Sequence, residues 1–168
     1  MRCFIALDLP RETINTIKEI QEKIKKKNLL IGKFTEPENL HLTLKFLGEI
    51  DEDKVEKIRK ILKEIKFKGF EVSLGEVGTF SQKFIKIIWI KLNGKGVLGL
   101  QKQIDEKLKE EFVSEFRFMS HLTLVRVNKV FDKKILLKYL KTIKIKPKKF
   151  IVDKFFFKNS VLKPEGPV

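Results

Sequence analysis

The tetrapeptide HLTL stands at residues 41–44, inside "NLHLTLKFLGE", and again at 121–124, inside "SHLTLVRV". The chain of 168 residues has two histidines, His41 and His121, and each one opens a copy. On an extended strand successive side chains point to opposite faces. His41 and Thr43 therefore share one face, and Leu42 and Leu44 the other. His121 and Thr123 stand against Leu122 and Leu124 in the same way. The leucines are expected to point into a core under helices, and each His-Thr pair toward the opposite side.

Around both motifs the same order of elements recurs. "RCFIALDL" reads as a buried strand bounded by Pro10. Beyond it Ile14, Ile17, Ile20 and Ile24 repeat at helical spacing, with Glu12 early and Lys25, Lys26 and Lys27 late, as the helix dipole prefers. "GKFTEPENL" is a loop with a short strand near Lys33 and Phe34. The first HLTL strand follows and ends at Gly48. "DED" at 51–53 starts a second helix carrying Val55, Ile58, Leu62 and Ile65, and "FEVSLGEVG" is the next strand.

In the second half "FIKIIWIKL" is a strand, and "NGKGVLG" turns it into a helix with Leu100, Ile104, Leu108 and Phe112 inward. A loop, the second HLTL strand, a helix from Asp132 through Leu140 and a final strand "KKFIVDKFFFK" complete the order. A shift of eighty residues lays Phe4-Ile5 on Phe84-Ile85, Phe70 on Phe150 and Val72 on Val152. With identical tetrapeptides at that offset, an internal duplication is the better account than chance. The expectation is one bilobal α+β domain over residues 1–168, with repeat units near 1–80 and 81–160. The units would pair about a pseudo-twofold axis, each supplying a mostly antiparallel sheet with helices on its outer face and a central cleft between lobes.

Two imidazoles and two hydroxyls meeting across a cleft suit in-line attack on a phosphodiester. Water enters on one side of phosphorus and the leaving oxygen departs on the other, so a base and an acid are needed on opposite flanks. Imidazole serves either role near neutral pH. The threonine hydroxyls can donate to non-bridging oxygens. Lys45, two residues beyond Thr43, is expected on the histidine face, where it would hold phosphate or RNA backbone as a point charge. Arg126 falls on the leucine side by strict alternation, and only a twist or bulge would turn it to the cleft.

Other chemistries find less support. Two histidines with no cysteine beside them, no HxH and only scattered carboxylates make a poor zinc set, so no metal or other cofactor is expected. GxSxG and GxxxxGK[ST] are absent, and the Gly-rich NGKGVLG is read as the turn from a strand into a helix. Cys3 is the only cysteine, which rules out an internal disulfide and fits a reducing interior. No apolar run is long enough for a signal peptide or a membrane span. A cytoplasmic, soluble monomer without membrane contact is expected. The net charge of +15 favours a polyanionic partner, although a Lys-rich thermophile-type surface would give the same sum.

The stretches "FTEPENLHLTLKFLGE", "SHLTLVRV", "MRCFIALDLP" and "KPEGP" resemble the two-histidine phosphoesterases, and among them the RNA 2',3'-cyclic phosphodiesterases, also called 2'-5' RNA ligases. The resemblance spans nearly the whole chain. It implies metal-independent opening of RNA 2',3'-cyclic phosphate ends to a 2'-phosphate. It also implies a weak, ATP-independent 2'-5' joining of RNA ends, such as tRNA halves, by the same chemistry run backward. On this chain it makes His41 the proton donor to the O3' leaving group and His121 the base that activates water. Thr43 and Thr123 become phosphate ligands. Ser120 departs from the pattern, which commonly has Pro there. Two rival readings stand beside this one: a basic RNA-binding protein without turnover, and a cyclic phosphodiesterase for small nucleotides.

Overall fold

A computed structural model describes residues 1–163 and 166–167 of the chain. Pro164 and Glu165, two residues of the "KPEGP" stretch, lie outside the described residues. Among the described residues ten strands and four α-helices follow one another as β1 (Arg2–Asp8), α1 (Arg11–Lys26), β2 (Leu30–Phe34), β3 (His41–Glu49), α2 (Glu52–Lys63), β4 (Phe70–Thr79), β5 (Ile87–Asn93), α3 (Lys95–Lys107), β6 (His121–Val130), α4 (Lys133–Thr142), β7 (Phe150–Val152), β8 (Phe156–Ser160), β9 (Leu162–Lys163) and β10 (Gly166–Pro167). A short 3-10 turn, Pro37–Asn39, precedes β3. The fold is α+β, as the order of elements predicts.

Local chemistry sets the element ends. Asp51 caps α2 by accepting from the Lys54 amide at 2.8 Å, and Asp132 caps α4 by accepting from the Ile135 amide at 3.1 Å. Gly94, with φ 157°, makes the turn from β5 into α3, a backbone conformation that suits glycine.

Two antiparallel sheets form the body, in the orders β3-β1-β8 and β2-β6-β5-β4-β7, and β9 pairs with β10 in a separate ribbon. The sheets do not coincide with the sequence halves. β2 and β4, from the first half, join the sheet of β5 and β6, while β8, from the second half, joins β1 and β3. The expected single strand over 148–158 is therefore two strands. β7 pairs with β4 and β8 pairs with β1, and the chain crosses between sheets at 153–155.

Helices cover the leucine faces crosswise: α1 packs on β6, and α3 packs on β3 and β4. Leu42, Leu44, Leu122 and Leu124 are at most 1% exposed, packed with Ile17, Ile20 and Ile24 of α1 and Val97, Leu100 and Ile104 of α3 in one core. Each such side chain contributes about 1.5–3 kcal/mol when fully buried. A one-residue slip of either strand would forfeit that, so the core fixes which face carries the histidines.

Candidate functional site

β3 and β6, the two HLTL strands, approach one another across the junction of the sheets. Residues directly opposite in an antiparallel pair share a face, so the strand pairing identifies the neighbours of each histidine. On the first sheet His41 lies opposite Asp8, and Thr43 opposite Ala6. On the second His121 lies opposite Lys91, and Thr123 opposite Trp89.

Strict alternation fails just beyond each threonine. In β3 the register steps from Ala6↔Thr43 to Ile5↔Lys45, leaving Leu44 as an extra residue. In β6 it steps from Trp89↔Thr123 to Ile88↔Val125, leaving Leu124 extra. These are equivalent β-bulges, and each turns the rest of its strand over. The bulges correct two expectations. Lys45 does not share the histidine face. It is buried, paired with Asp105 of α3, and also donates to the Val113 carbonyl at 2.9 Å. Arg126 does not share the leucine face. It stands opposite Ile87 and Lys33, exposed on the His121 side. The place that Arg126 takes on the second sheet belongs on the first to Phe46, opposite Phe4 and 74% exposed.

The second bulge has an identifiable cause. The Leu124 carbonyl accepts from the Thr35 amide at 3.0 Å and from Gln21 Nε2 at 2.9 Å, and Gln21 also donates to the Thr35 carbonyl at 2.8 Å. A buried glutamine on the inner face of α1 thus adds a second donor to the bulge carbonyl and ties it to the residue after β2. Gln101 occupies the corresponding place in α3, yet its Nε2 has no partner among the described residues. There the Lys45–Asp105 pair holds the 108–120 segment instead, with the Glu115 amide donating to Asp105 at 2.7 Å.

The pairing also corrects part of the eighty-residue overlay. Ile5 and Ile88 occupy equivalent places, each opposite the residue that follows a bulge. Phe84 and Ile85 precede β5, so their match to Phe4 and Ile5 has no structural counterpart.

The two imidazoles have different surroundings. His121 Nδ1 lies 2.8 Å from the Met119 carbonyl, which can only accept, so Nδ1 carries the proton and Nε2 is the free nitrogen of the neutral ring. The Phe80 and His121 rings stand nearly perpendicular, with their centres 5.0 Å apart. Ser120, in place of proline, is tied to β5: its hydroxyl donates to the Leu92 carbonyl at 2.7 Å, and the Leu92 amide donates to its carbonyl at 3.2 Å. His41 stacks on Phe4 at 4.9 Å. Burial holds it below its ordinary value near 6.5, the Lys158 charge acts in the same direction, and Asp8 acts against both. Lys158 and Asp8 form an ion pair. No cluster of metal-ligating side chains occurs among the described residues.

Beyond the residues expected from the sequence, the same faces carry Asp8, Phe4, Phe46 and Lys158 beside His41, and Trp89, Lys91, Phe80 and Lys33 beside His121. The period-2 pattern of β1 and β5 is the signal that could have found Asp8, Phe4, Trp89 and Lys91, but only the bulges reveal Phe46 and Arg126.

Comparison with known proteins agrees with this fold. The family described as LigT like Phosphoesterase matches residues 7–89. An RNA 2',3'-cyclic phosphodiesterase of Methanocaldococcus jannaschii is 34% identical over 171 residues, which cover 100% of this chain and 96% of the relative. One from Thermotoga maritima is 33% identical over 173 residues, covering 100% and 91%. The crystal structure of TT0787 of Thermus thermophilus superposes with a TM-score of 0.81 at 24% identity, covering 100% of this chain and 93% of that one.

Proposed function

Because the chain belongs to the LigT-like phosphoesterase family, we propose that it hydrolyses 2',3'-cyclic phosphate ends of RNA to 2'-phosphates, with His41 and His121 as its acid and base. The relatives that match it over its full length are named RNA 2',3'-cyclic phosphodiesterases. The observation that carries the reading is the repetition of one strand geometry on both sides of the sheet junction. His, Thr and then a bulge occur in the same register on β3 and β6.

In the proposed reaction His121 Nε2 takes a proton from water, whose oxygen attacks phosphorus. The P–O3' bond breaks, and His41 gives its proton to O3'. The products are a 2'-phosphate and a free 3'-hydroxyl. Thr43, Thr123 and Arg126 hold the non-bridging oxygens, on which charge accumulates. The Nδ1 proton fixed on Met119 supports His121 as the base, because it leaves Nε2 free to accept. His41 must be protonated to act as the acid. The anionic substrate favours that state against the burial that opposes it in the free protein. Attack by an RNA 5'-hydroxyl in place of water would join ends through a 2'-5' bond without ATP. We also take the chain as a duplicated unit of near eighty residues and as a monomer acting on RNA ends, tRNA halves among them.

Product analysis tests the reading. An oligonucleotide with a 2',3'-cyclic end should open to a 2'-phosphate in excess chelator. His41→Ala and His121→Ala should each lower the rate by roughly 10²–10⁴-fold. A 3'-phosphate product, turnover that stops with chelator, or RNA bound and left unchanged would each refute it. Faster turnover of a cyclic mononucleotide than of the oligonucleotide would move the substrate to small nucleotides.

A further inference from the structure

We propose that Lys158 is an exchangeable cation: it pairs with Asp8 in the free protein and moves to the phosphate of the bound RNA end, leaving Asp8 to hold His41 as the proton donor. The inference rests on the reaction proposed above and assigns two residues to it that the paired motifs do not contain.

Three observations carry it. Asp8 on β1 lies directly opposite His41 on β3, so a carboxylate stands across the strand pair from the imidazole. Lys158 on β8 lies opposite Phe4, whose ring stacks on His41, so all three polar groups share one face. Lys158 Nζ reaches Asp8 Oδ1 in an ion pair and also lies 5.5 Å from the centre of the Phe156 ring. The second histidine has no such arrangement. Lys91 takes the place of Asp8, and a carboxylate is absent from that position.

The pair is built to exchange. The two side chains are 29% and 46% exposed, and a solvated lysine–carboxylate pair holds only weakly. A lysine swings its charge on a flexible four-carbon stem. The charged and titratable groups on the neighbouring sheet's face are His121, Lys91, Arg126 and Lys33, with Glu76 of β4 at the register shift opposite Lys91, so Asp8 is the carboxylate that the strand pairing sets directly opposite an imidazole. While Lys158 neutralises it, Asp8 does little for a protonated His41. An incoming phosphate competes for Lys158. Once the amine has moved, the carboxylate faces the imidazole uncompensated and stabilises the charged ring until its proton passes to O3'. The phosphate gains a cation at the moment the acid gains its counter-charge.

The test uses the full chain, a nucleoside 2'-monophosphate as probe, and the NMR titration of the His41 ring. Lys158→Met should weaken probe binding roughly tenfold and raise KM by a similar factor, with Lys158→Arg close to wild type. Asp8→Asn should tighten probe binding, because Lys158 is released, while lowering kcat and pulling the basic limb of the pH–rate profile to lower pH. In the double variant the tightening should shrink, which separates the exchange from a general loss of negative charge. Probe binding unchanged in Lys158→Met, weakened in Asp8→Asn, or tightened equally with and without Lys158 would each overturn the inference. If the wild type leaves cyclic ends unopened, the proposed reaction falls, and the binding and NMR arms still decide whether Lys158 exchanges.

Discussion

Replacing Lys45 by Met should unfold the protein more readily without removing its chemistry. Lys45 and Asp105 are 5% and 11% exposed, and their pair is completed by the Val113 carbonyl and the Glu115 amide. Methionine fills the same space but leaves the Asp105 carboxylate buried with a single amide donor. Breaking a buried pair on one side costs about 3–5 kcal/mol. At about 2–4 °C per kcal/mol for a domain of this size, the melting temperature should fall by roughly 6–20 °C. Replacing both partners, as Lys45→Met with Asp105→Leu, should recover most of the loss, because an apolar pair of similar volume replaces an ion pair at little cost. Urea unfolding of the two variants, beside turnover of the cyclic-phosphate oligonucleotide at a temperature where both are folded, gives the answer. A loss under about 1 kcal/mol for the single variant, or a double variant no better than the single, would refute the buried-pair reasoning. Lost turnover with unchanged stability would return Lys45 to the phosphate.

Three further outcomes follow from particular contacts. Gln21→Met removes the donor to the Thr35 and Leu124 carbonyls, so it should cost about 1–3 kcal/mol in urea unfolding and raise KM by freeing the bulge that presents Arg126. Gly78→Val would press a side chain into the indole of Trp89, whose ring carbon lies 2.6 Å from the place a Cβ would take. It should cost about 1–3 kcal/mol and shift the emission of this single tryptophan. His41 gives stability a pH dependence of known sign. Its value in the folded chain lies below 6.5, so as pH falls through 6.5 the unfolded chain takes up the proton first and stability drops, while the full contribution is present above that pH. Urea midpoints measured on either side of 6.5 should show this slope, and His41→Gln should flatten it.

The sequence contains the histidine faces but conceals what lies beyond them. Leu42, Leu44, Leu122 and Leu124 declare their face because a period of two with buried leucines permits one orientation. Asp51, Asp132 and Gly94 declare element ends because a cap or a turn is chemistry among near neighbours. The bulges are different. The one at Leu124 depends on Gln21, which is 103 residues away in the chain, and no local pattern encodes such a bond. Two signals point to it in retrospect. Gln21 sits among the isoleucines on the buried face of α1, where a buried amide needs a polar partner, and Gln101 repeats the residue eighty positions on without finding one. In "HLTLKFL" the apolar residues alternate through Phe46 and break at Leu47, beyond the bulge that the structure places at Leu44. The split of the last strand is hidden for a similar reason: residues 150–152 and 156–160 are both good strands, and only the partners β4 and β1 tell them apart.

The crosswise packing bears on how two copies of one motif come to do different work. α1 packs on the strand of His121, and α3 packs on the strand of His41, so each half of the chain helps to bury the other's leucines. The halves must fold on each other before either histidine has a face to stand on. Within that shared scaffold the repeated positions are free to diverge. Asp8 stands across from one imidazole where Lys91 stands across from the other, and Phe46 takes the place that Arg126 takes on the opposite strand. A symmetric pair of histidines would have to split into acid and base by chance of protonation. In the proposed reaction, unlike charges across from otherwise equivalent rings would make the split a property of the fold: the Asp8 carboxylate favours a proton on His41 against the burial and the Lys158 charge that oppose it, and the cations beside His121 favour the anion it would help to attack.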